Sequence, residues 1–326
     1  MRGGKLLSVL HHPIPPDFFI VGAMRAGTTS LHHMLASHPR IFLPRRELFF
    51  FDSDDFEEHA EEHRAAGGGW RHRDFDAELP EALPAYQALF REAGDCLIGE
   101  DSTTYLTAAA APARIAAHRP DAHIVVSLRD PVMRAWSHYW HLVCSGRMVL
   151  SFEDALLSQR GTLLKRSDYA TALARWRQHF PPDQIHVLLF EELIAEPQPH
   201  LDRICAALGV SPLDAASLPA SDRHRHRARL PARPVLQLAA NWLRRQSTGR
   251  RALPGPTTPG RRGRRGPAVK LLERLAGRDQ RAGTPPIGAE TRQFLDDLFR
   301  RQAEPLAALV GRSRSELAVH WPCMAR

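Results

Sequence analysis

The stretch Asp17-Phe18-Phe19-Ile20-Val21-Gly22-Ala23-Met24-Arg25-Ala26-Gly27-Thr28-Thr29-Ser30 decides the fold. Its first half is a short apolar run closed by glycine, the pattern of a buried strand that feeds a loop. From Thr28 to Ser37 the apolar residues Leu31, Met34 and Leu35 recur at helical spacing, and Pro39 closes that helix. Gly22 and Gly27 have the spacing of the phosphate loop G-x-x-x-x-G-K-[ST]. Backbone N–H groups of such a loop, and of the helix that follows it, point at an anion. The lysine of that pattern is missing: Thr28 stands in its place, and the loop's one cation is Arg25. A nucleotide kinase uses the lysine on its β- and γ-phosphates and a hydroxyl on Mg²⁺. The hydroxyls of Thr28, Thr29 and Ser30 with Arg25 suit instead a group whose charge develops on one bridging oxygen, with no metal required.

Outward from this unit, Ile41-Phe42-Leu43, Cys96-Leu97-Ile98-Gly99, Ile124-Val125-Val126-Ser127-Leu128 and Ile185-His186-Val187-Leu188-Leu189-Phe190 read as further short strands. Helices are expected over Asp55 to Ala66, Tyr86 to Ala93, Leu201 to Leu208 before Gly209, and Ala289 to Leu309. Strands alternating with helices predict an α/β fold of the P-loop-like, three-layer kind: a mainly parallel central sheet flanked by helices. Residues 1–16 read as an N-terminal extension and 17–326 as one domain. Within it, about 244–283 forms an insert rich in Arg, Gly and Pro, with Arg261-Arg262-Gly263-Arg264-Arg265-Gly266 and a short helix at Val269 to Leu275.

The 326 residues, 43% of them apolar, suffice for one large core. No run approaches the roughly 18 to 20 apolar residues of a membrane helix. The apolar run near Met1 is too short for a signal peptide and ends at His11-His12-Pro13, and Cys96, Cys144, Cys205 and Cys323 have no metal-type spacing. The expected location is therefore the cytoplasm, with no metal. The net charge of +8 favours a polyanionic ligand: nucleic acid, acidic glycan, anionic lipid or phosphorylated cofactor.

A second marker is Val125-Val126-Ser127-Leu128-Arg129-Asp130-Pro131-Val132-Met133-Arg134-Ala135-Trp136-Ser137-His138-Tyr139. Asp at N-cap and Pro at N1 start a helix. Arg129 lies where the strand ends, beside the crevice in which open α/β sheets take ligands. Val132, Trp136, Tyr139 and Val143 make an apolar helix face. Ser137 points elsewhere; Arg129 and Ser137 converging there would suit a second phosphate, while taken alone the pair reads more simply as a surface arginine and a helix serine.

With both segments in hand, the chain resembles the sulfotransferases that use 3′-phosphoadenosine 5′-phosphosulfate (PAPS), and more closely their bacterial and carbohydrate (heparan-sulfate-type) branch. The likeness extends through Gly99-Glu100-Asp101-Ser102-Thr103-Thr104-Tyr105, Leu188-Leu189-Phe190-Glu191-Glu192-Leu193 and the final helices, and is thinnest over the Arg-rich insert. It implies transfer of a sulfuryl group (EC 2.8.2 type) to an acceptor hydroxyl or amine on a glycan, glycolipid or small metabolite. It implies that Arg25, Ala26, Gly27, Thr28, Thr29 and Ser30 bind the 5′-phosphosulfate and that Arg129 and Ser137 bind the 3′-phosphate. Arg278 and Arg281 would belong to a basic loop closing on the cofactor.

Arg45-Arg46-Glu47-Leu48-Phe49-Phe50-Phe51-Asp52 resembles the family's K-E-x-x-F-F segment, which makes Glu47 the catalytic base. An acceptor hydroxyl is a poor nucleophile until a carboxylate takes its proton. Arg25 would stabilise the leaving oxygen. Arg46, Phe50, Asp52, Asp101, Ser102 and Thr103 would line the acceptor groove. The chain departs from the family where Asp101 replaces a frequent Lys and Thr103 a Pro; an acidic Asp101 argues against a strongly sulfated acceptor.

Two other readings remain open at this level. A P-loop kinase or NTPase would need a Walker lysine and a Mg²⁺-holding Asp. A basic nucleic-acid-binding protein would use Arg261 to Arg265, with no recognisable reading motif beside them. The same arginines suit an anionic membrane surface, at the inner face of a membrane.

Overall fold

The computed structural model describes residues 16–63, 65, 69–158, 163–218, 233–247, 266–277 and 284–325. Five strands form one sheet: β1 (Phe18–Gly22), β2 (Ile41–Phe42), β3 (Leu97–Asp101), β4 (His123–Leu128) and β5 (Ile185–Leu189). Their order is β2-β3-β1-β4-β5 and every pairing is parallel. The helices are α1 (Thr28–Ala36), α2 (Phe56–His59), α3 (Phe75–Ala88), α4 (Ala111–His118), α5 (Pro131–Cys144), α6 (Phe152–Ser158), α7 (Tyr169–Arg177), α8 (Phe190–Ala195), α9 (Pro197–Ala207), α10 (Pro234–Ser247), α11 (Pro267–Ala276), α12 (Ala289–Arg300), α13 (Ala303–Val310) and α14 (Arg314–Ala318).

All five residues of β1 are buried because the strand has packed neighbours on both faces. Phe19 and Val21 join Ile124, Val126 and Leu128 on one side, against Ile115 of α4, Val132 of α5 and Trp176 of α7. Phe18 and Ile20 join Val125 and Leu188 on the other, against Leu31 and Leu35 of α1 and Leu201 and Ile204 of α9. Period-2 alternation is therefore present in space, with each face apolar. The chain moves from β1 to β2 and β3 on one side, then to β4 and β5 on the other. The C-terminal end of β1 is thus the topological switch point where such sheets bind ligands.

All five expected strands form, within one or two residues of their expected ends. Asp130 caps α5 as expected, its carboxylate accepting from the Val132 and Met133 N–H groups, with Pro131 at N1. Other boundaries differ. The helix expected from Tyr86 begins at Phe75 and runs through Pro80 and Pro84. A proline inside a helix costs about 3 kcal/mol; burial of Phe75, Leu83 and Tyr86 along one face offsets that cost. The polar helix expected over Asp55 to Ala66 is one turn of α-helix followed by a 3₁₀ turn at Ala60–His63. The last helical stretch breaks at Arg301 and Gln302 into α12 and α13. In the basic insert, α11 covers the expected short helix, and the Arg233 N–H donates to the Ala276 carbonyl at 2.9 Å to tie α11 to the start of α10. The arginines at 261, 262, 264 and 265, with 278 and 281, lie outside the described residues.

Candidate active site

The loop after β1 is held from β4. The Ala23 N–H donates to the Ser127 carbonyl at 2.7 Å, and Ser127 Oγ donates to the Ala26 carbonyl at 2.6 Å. Arg25 and Gly27 both have left-handed backbone conformations, φ 71° and 82°. Gly27 is the N-cap of α1, and no side chain caps that helix. Its first-turn N–H groups therefore have no partner within the helix and face the loop's concavity. A Cβ on Gly27 would lie 2.5 Å from the Phe190 ring, and the Arg129 guanidinium sits 4.7 Å above that same ring. Gly27→Ala should therefore destabilise the fold by about 2 to 4 kcal/mol, from backbone strain and overpacking together. It should also weaken anion binding by displacing Phe190 and Arg129. Thermal denaturation and nucleotide titration of the variant check both effects.

Three arginines gather around this loop. Arg25 Nε donates to Ser137 Oγ at 3.3 Å, and Arg129 Nη1 donates to the Arg25 carbonyl at 3.2 Å. Behind them Arg134 is fully buried, donating to Ser167 Oγ at 2.5 Å and to the Leu163 carbonyl. Burial, and then the neighbouring charge of Arg129, lowers the Arg25 pKa. Burial pushes Arg134 down to about 10, with Arg166, Arg129 and Arg25 adding to it against an opposing effect of Tyr169. Guanidinium groups that depress one another in this way are poised for an anion. Ala26 and Thr28 are buried, Ser30 is half-buried and Thr29 is exposed. The first turn of α1 thus supplies main-chain donors and the Thr29 hydroxyl beside the arginines. The loop N–H groups, Arg25, Arg129 and Ser137 thus form one contiguous donor set of the kind that suits a phosphorylated ligand.

On the β3 side of the switch point stands Glu47. Thr103 donates to Glu47 Oε1 twice, through its N–H at 3.1 Å and its Oγ1 at 2.6 Å. Burial raises the Glu47 pKa; the Thr103 bonds oppose that rise, and the charges of Asp101 and Asp52 add to it. Asp101 faces His32 Nδ1 at 3.2 Å, and Asp52 faces His59 Nε2 at 3.0 Å, both pairs nearly closed to solvent. β1 and the segment after β3 are stitched together by Ser102 N–H to the Ile20 carbonyl and Leu106 N–H to the Val21 carbonyl. One strand end therefore carries the glycine-bearing loop with Glu47 beside it.

Two of the expected acceptor-groove residues are engaged inside the fold. Phe50 is core: its ring stacks on Tyr86 at 4.0 Å and is 3% exposed. Ser102 is fully buried, and its Oγ accepts from the Phe49 N–H at 2.9 Å and the Leu48 N–H at 3.3 Å, so it holds main chain. Arg46 is exposed beside Glu47. Arg278 and Arg281 lie outside the described residues. Sequence reasoning missed Arg134 and Phe190. Arg134 lies four residues beyond Asp130 in the second motif, where its sequence position gives no sign of its burial. Phe190 lay in a quoted segment, but only the folded chain shows what its ring touches.

A model of the "Sulfotransferase family" matches residues 16–214, which contain β1 to β5, both arginine-bearing segments and Glu47. This chain belongs to the sulfotransferase family. It is 24% identical over 208 residues to heparan sulfate glucosamine 3-O-sulfotransferase 5 of Mus musculus, covering 60% of this chain and 54% of that protein. It is 28% identical over 204 residues to the human enzyme 3B1 of the same name, covering 60% of this chain and 46% of that protein. The chain thus spans about half the length of the relatives it matches. The crystal structure of a sulfotransferase from Alicyclobacillus acidocaldarius superimposes with a TM-score of 0.60 at 26% identity, over 93% of this chain and 98% of that one. This family neighbour extends the likeness past residue 214 into the helices from α10 onward.

Proposed function

We propose that this protein transfers a sulfuryl group from PAPS to an acceptor hydroxyl or amine, by in-line displacement with Glu47 as base. The observation that carries this reading is the pairing at one strand end of an arginine-lined phosphate loop with a buried carboxylate of raised pKa. Family membership supports it. Arg25, Gly27 and the first turn of α1 would hold the 5′ end of the nucleotide; Arg129 and Ser137 would hold the 3′-phosphate. Bound PAPS would supply the sulfuryl group and a 5′-phosphate leaving group. Arg25 stabilises charge developing on that side with a guanidinium, where a kinase uses lysine and Mg²⁺; this supports chemistry without a metal.

Glu47 takes the acceptor proton. Its raised pKa brings its basicity closer to neutral pH while Thr103 holds it in the ionised form. Asp101, where the family often has Lys, disfavours a polysulfated acceptor by like-charge repulsion, so an uncharged sugar, glycolipid or small metabolite is the proposed class. No described helix is long and apolar enough to cross a membrane. All four cysteines are free thiols, which supports a reducing, cytoplasmic location. The Arg-rich insert is proposed as a contact with anionic membrane surface; duplex nucleic acid is the less favoured partner.

Calorimetric titration with the product nucleotide, 3′-phosphoadenosine 5′-phosphate (PAP), against ATP with Mg²⁺ tests the reading. Tight binding of PAP without metal supports it. Binding of ATP with Mg²⁺ and none of PAP returns the loop to kinase chemistry.

A further inference from the structure

We propose that Glu100 is a positioning residue: through Ser102 and Tyr105 it sets the main chain that carries Glu47. This inference rests on the reading of Glu47 as base. Glu100 lies on β3 and is 1% exposed. Its Oε1 accepts from Tyr105 OH at 2.6 Å and from Ser102 Oγ at 3.0 Å, and its Oε2 accepts from Tyr86 OH. Two of these donors act a second time, as acceptors from the segment after Glu47. Ser102 Oγ takes the Phe49 and Leu48 N–H groups, and Tyr105 OH takes the Phe51 N–H at 3.0 Å. A hydroxyl that gives its proton to a carboxylate has its lone pairs left for an N–H, so one buried anion orients both relays.

The framed segment is strained. Phe49 has φ 53°, a left-handed conformation that costs a non-glycine residue about 1 to 2 kcal/mol and persists only where its surroundings over-determine it. The N–H of that same residue is the one Ser102 grips. Thr103, adjacent to Ser102, grips the Glu47 carboxylate itself. The residues from Glu100 to Tyr105 thus hold Glu47 at its carboxylate and along the backbone that follows it. Burial pushes the Glu100 pKa up to about 7, with its three hydroxyl partners pulling it back and the Asp101 charge adding to the rise.

Glu100→Leu tests this, because it removes the Oε1 acceptor that both relays share. The first readout is amide hydrogen exchange of the full chain. In Glu100→Leu the amides of Leu48, Phe49 and Phe51 should exchange about five- to tenfold faster, the loss of roughly one hydrogen bond. Protection across β1 and β4 and the PAP Kd should be unchanged. Ser102→Ala should release Leu48 and Phe49 alone, and Tyr105→Phe should release Phe51 alone; these two keep the test open if Glu100→Leu does not fold. The second readout is a ¹³C NMR titration of the Glu47 carboxyl, assigned by its loss in Glu47→Gln. Its pKa should drop toward the ordinary carboxylate value in Glu100→Leu as the site loosens and hydrates. Wild-type exchange at all three amides, or uniform loss of protection with a weakened PAP Kd, overturns the proposal. Neither readout uses turnover: a Glu47→Gln enzyme of full activity would sink the base assignment and leave the exchange result standing.

Discussion

Glu47→Gln should lower turnover by about 10²- to 10⁴-fold, the usual contribution of a positioned general base, while the PAP Kd stays at its wild-type value. The amide oxygen of Gln can still accept from Thr103, so the substitution removes basicity and leaves most of the geometry in place. Stopped assays of PAP release from PAPS, with a panel of unsulfated sugars and phenols as acceptors, measure the loss.

The pH profile gives an independent check. The base must be ionised to work, so wild-type turnover falls as pH drops through the Glu47 pKa. Burial raises that pKa, so the acidic limb lies above the ordinary carboxylate value of 4.5. Thr103→Ala removes a hydroxyl that favours the ionised form, and should move the limb to still higher pH. A limb that stayed put in Thr103→Ala would separate Glu47 from the observed ionisation.

Arg129→Ala should weaken PAP binding by about 2 to 5 kcal/mol, the range for truncating one partner of a buried charge pair. That is roughly a 30- to 5,000-fold rise in Kd. Arg25→Ala should act on the other parameter. Its guanidinium sits in the loop, where charge would build on the leaving oxygen, so kcat should fall about 10²- to 10³-fold. The unliganded protein should respond in the opposite sense. Arg25 is held at a depressed pKa by burial and by Arg129, so deleting it relieves repulsion, and the melting temperature without nucleotide should hold or rise. Calorimetry with PAP and thermal melts with and without it resolve these effects. A destabilised unliganded Arg25→Ala protein would show that the loop arginine serves the fold and not the anion.

The anion half of the site was legible in the chain because its signals are local. An apolar strand, two glycines five residues apart and a helix start specify a phosphate-binding turn, whatever the rest of the chain does. Arg129 and Ser137 follow from a strand end and a capped helix with one apolar face, and the structure brings Ser137 to Arg25 and Arg129 to the Arg25 carbonyl. The base half was legible only through resemblance. Nothing within a few residues of Glu47 says that its carboxylate is gripped by Thr103, more than fifty positions away, or that Asp101 and Asp52 stand close enough to raise its pKa. The resemblance places Phe50 and Ser102 in the groove; that both are buried depends on packing against α3 and β3, which no local signal reports.

Sequence alone determined the five strands, the glycine-bearing turn after β1 and the capped start of α5, and its motifs carried the resemblance to the family. The first three rest on periodicity, turn chemistry and short-range spacing. Only the tertiary structure decided that Pro80 and Pro84 lie inside a helix, that Arg134 is sealed behind the loop, and that Glu100 anchors the segment bearing Glu47. Those outcomes turn on burial and on hydrogen bonds between distant residues. Both are properties of the packed chain, set by which faces meet when the layers close on the sheet.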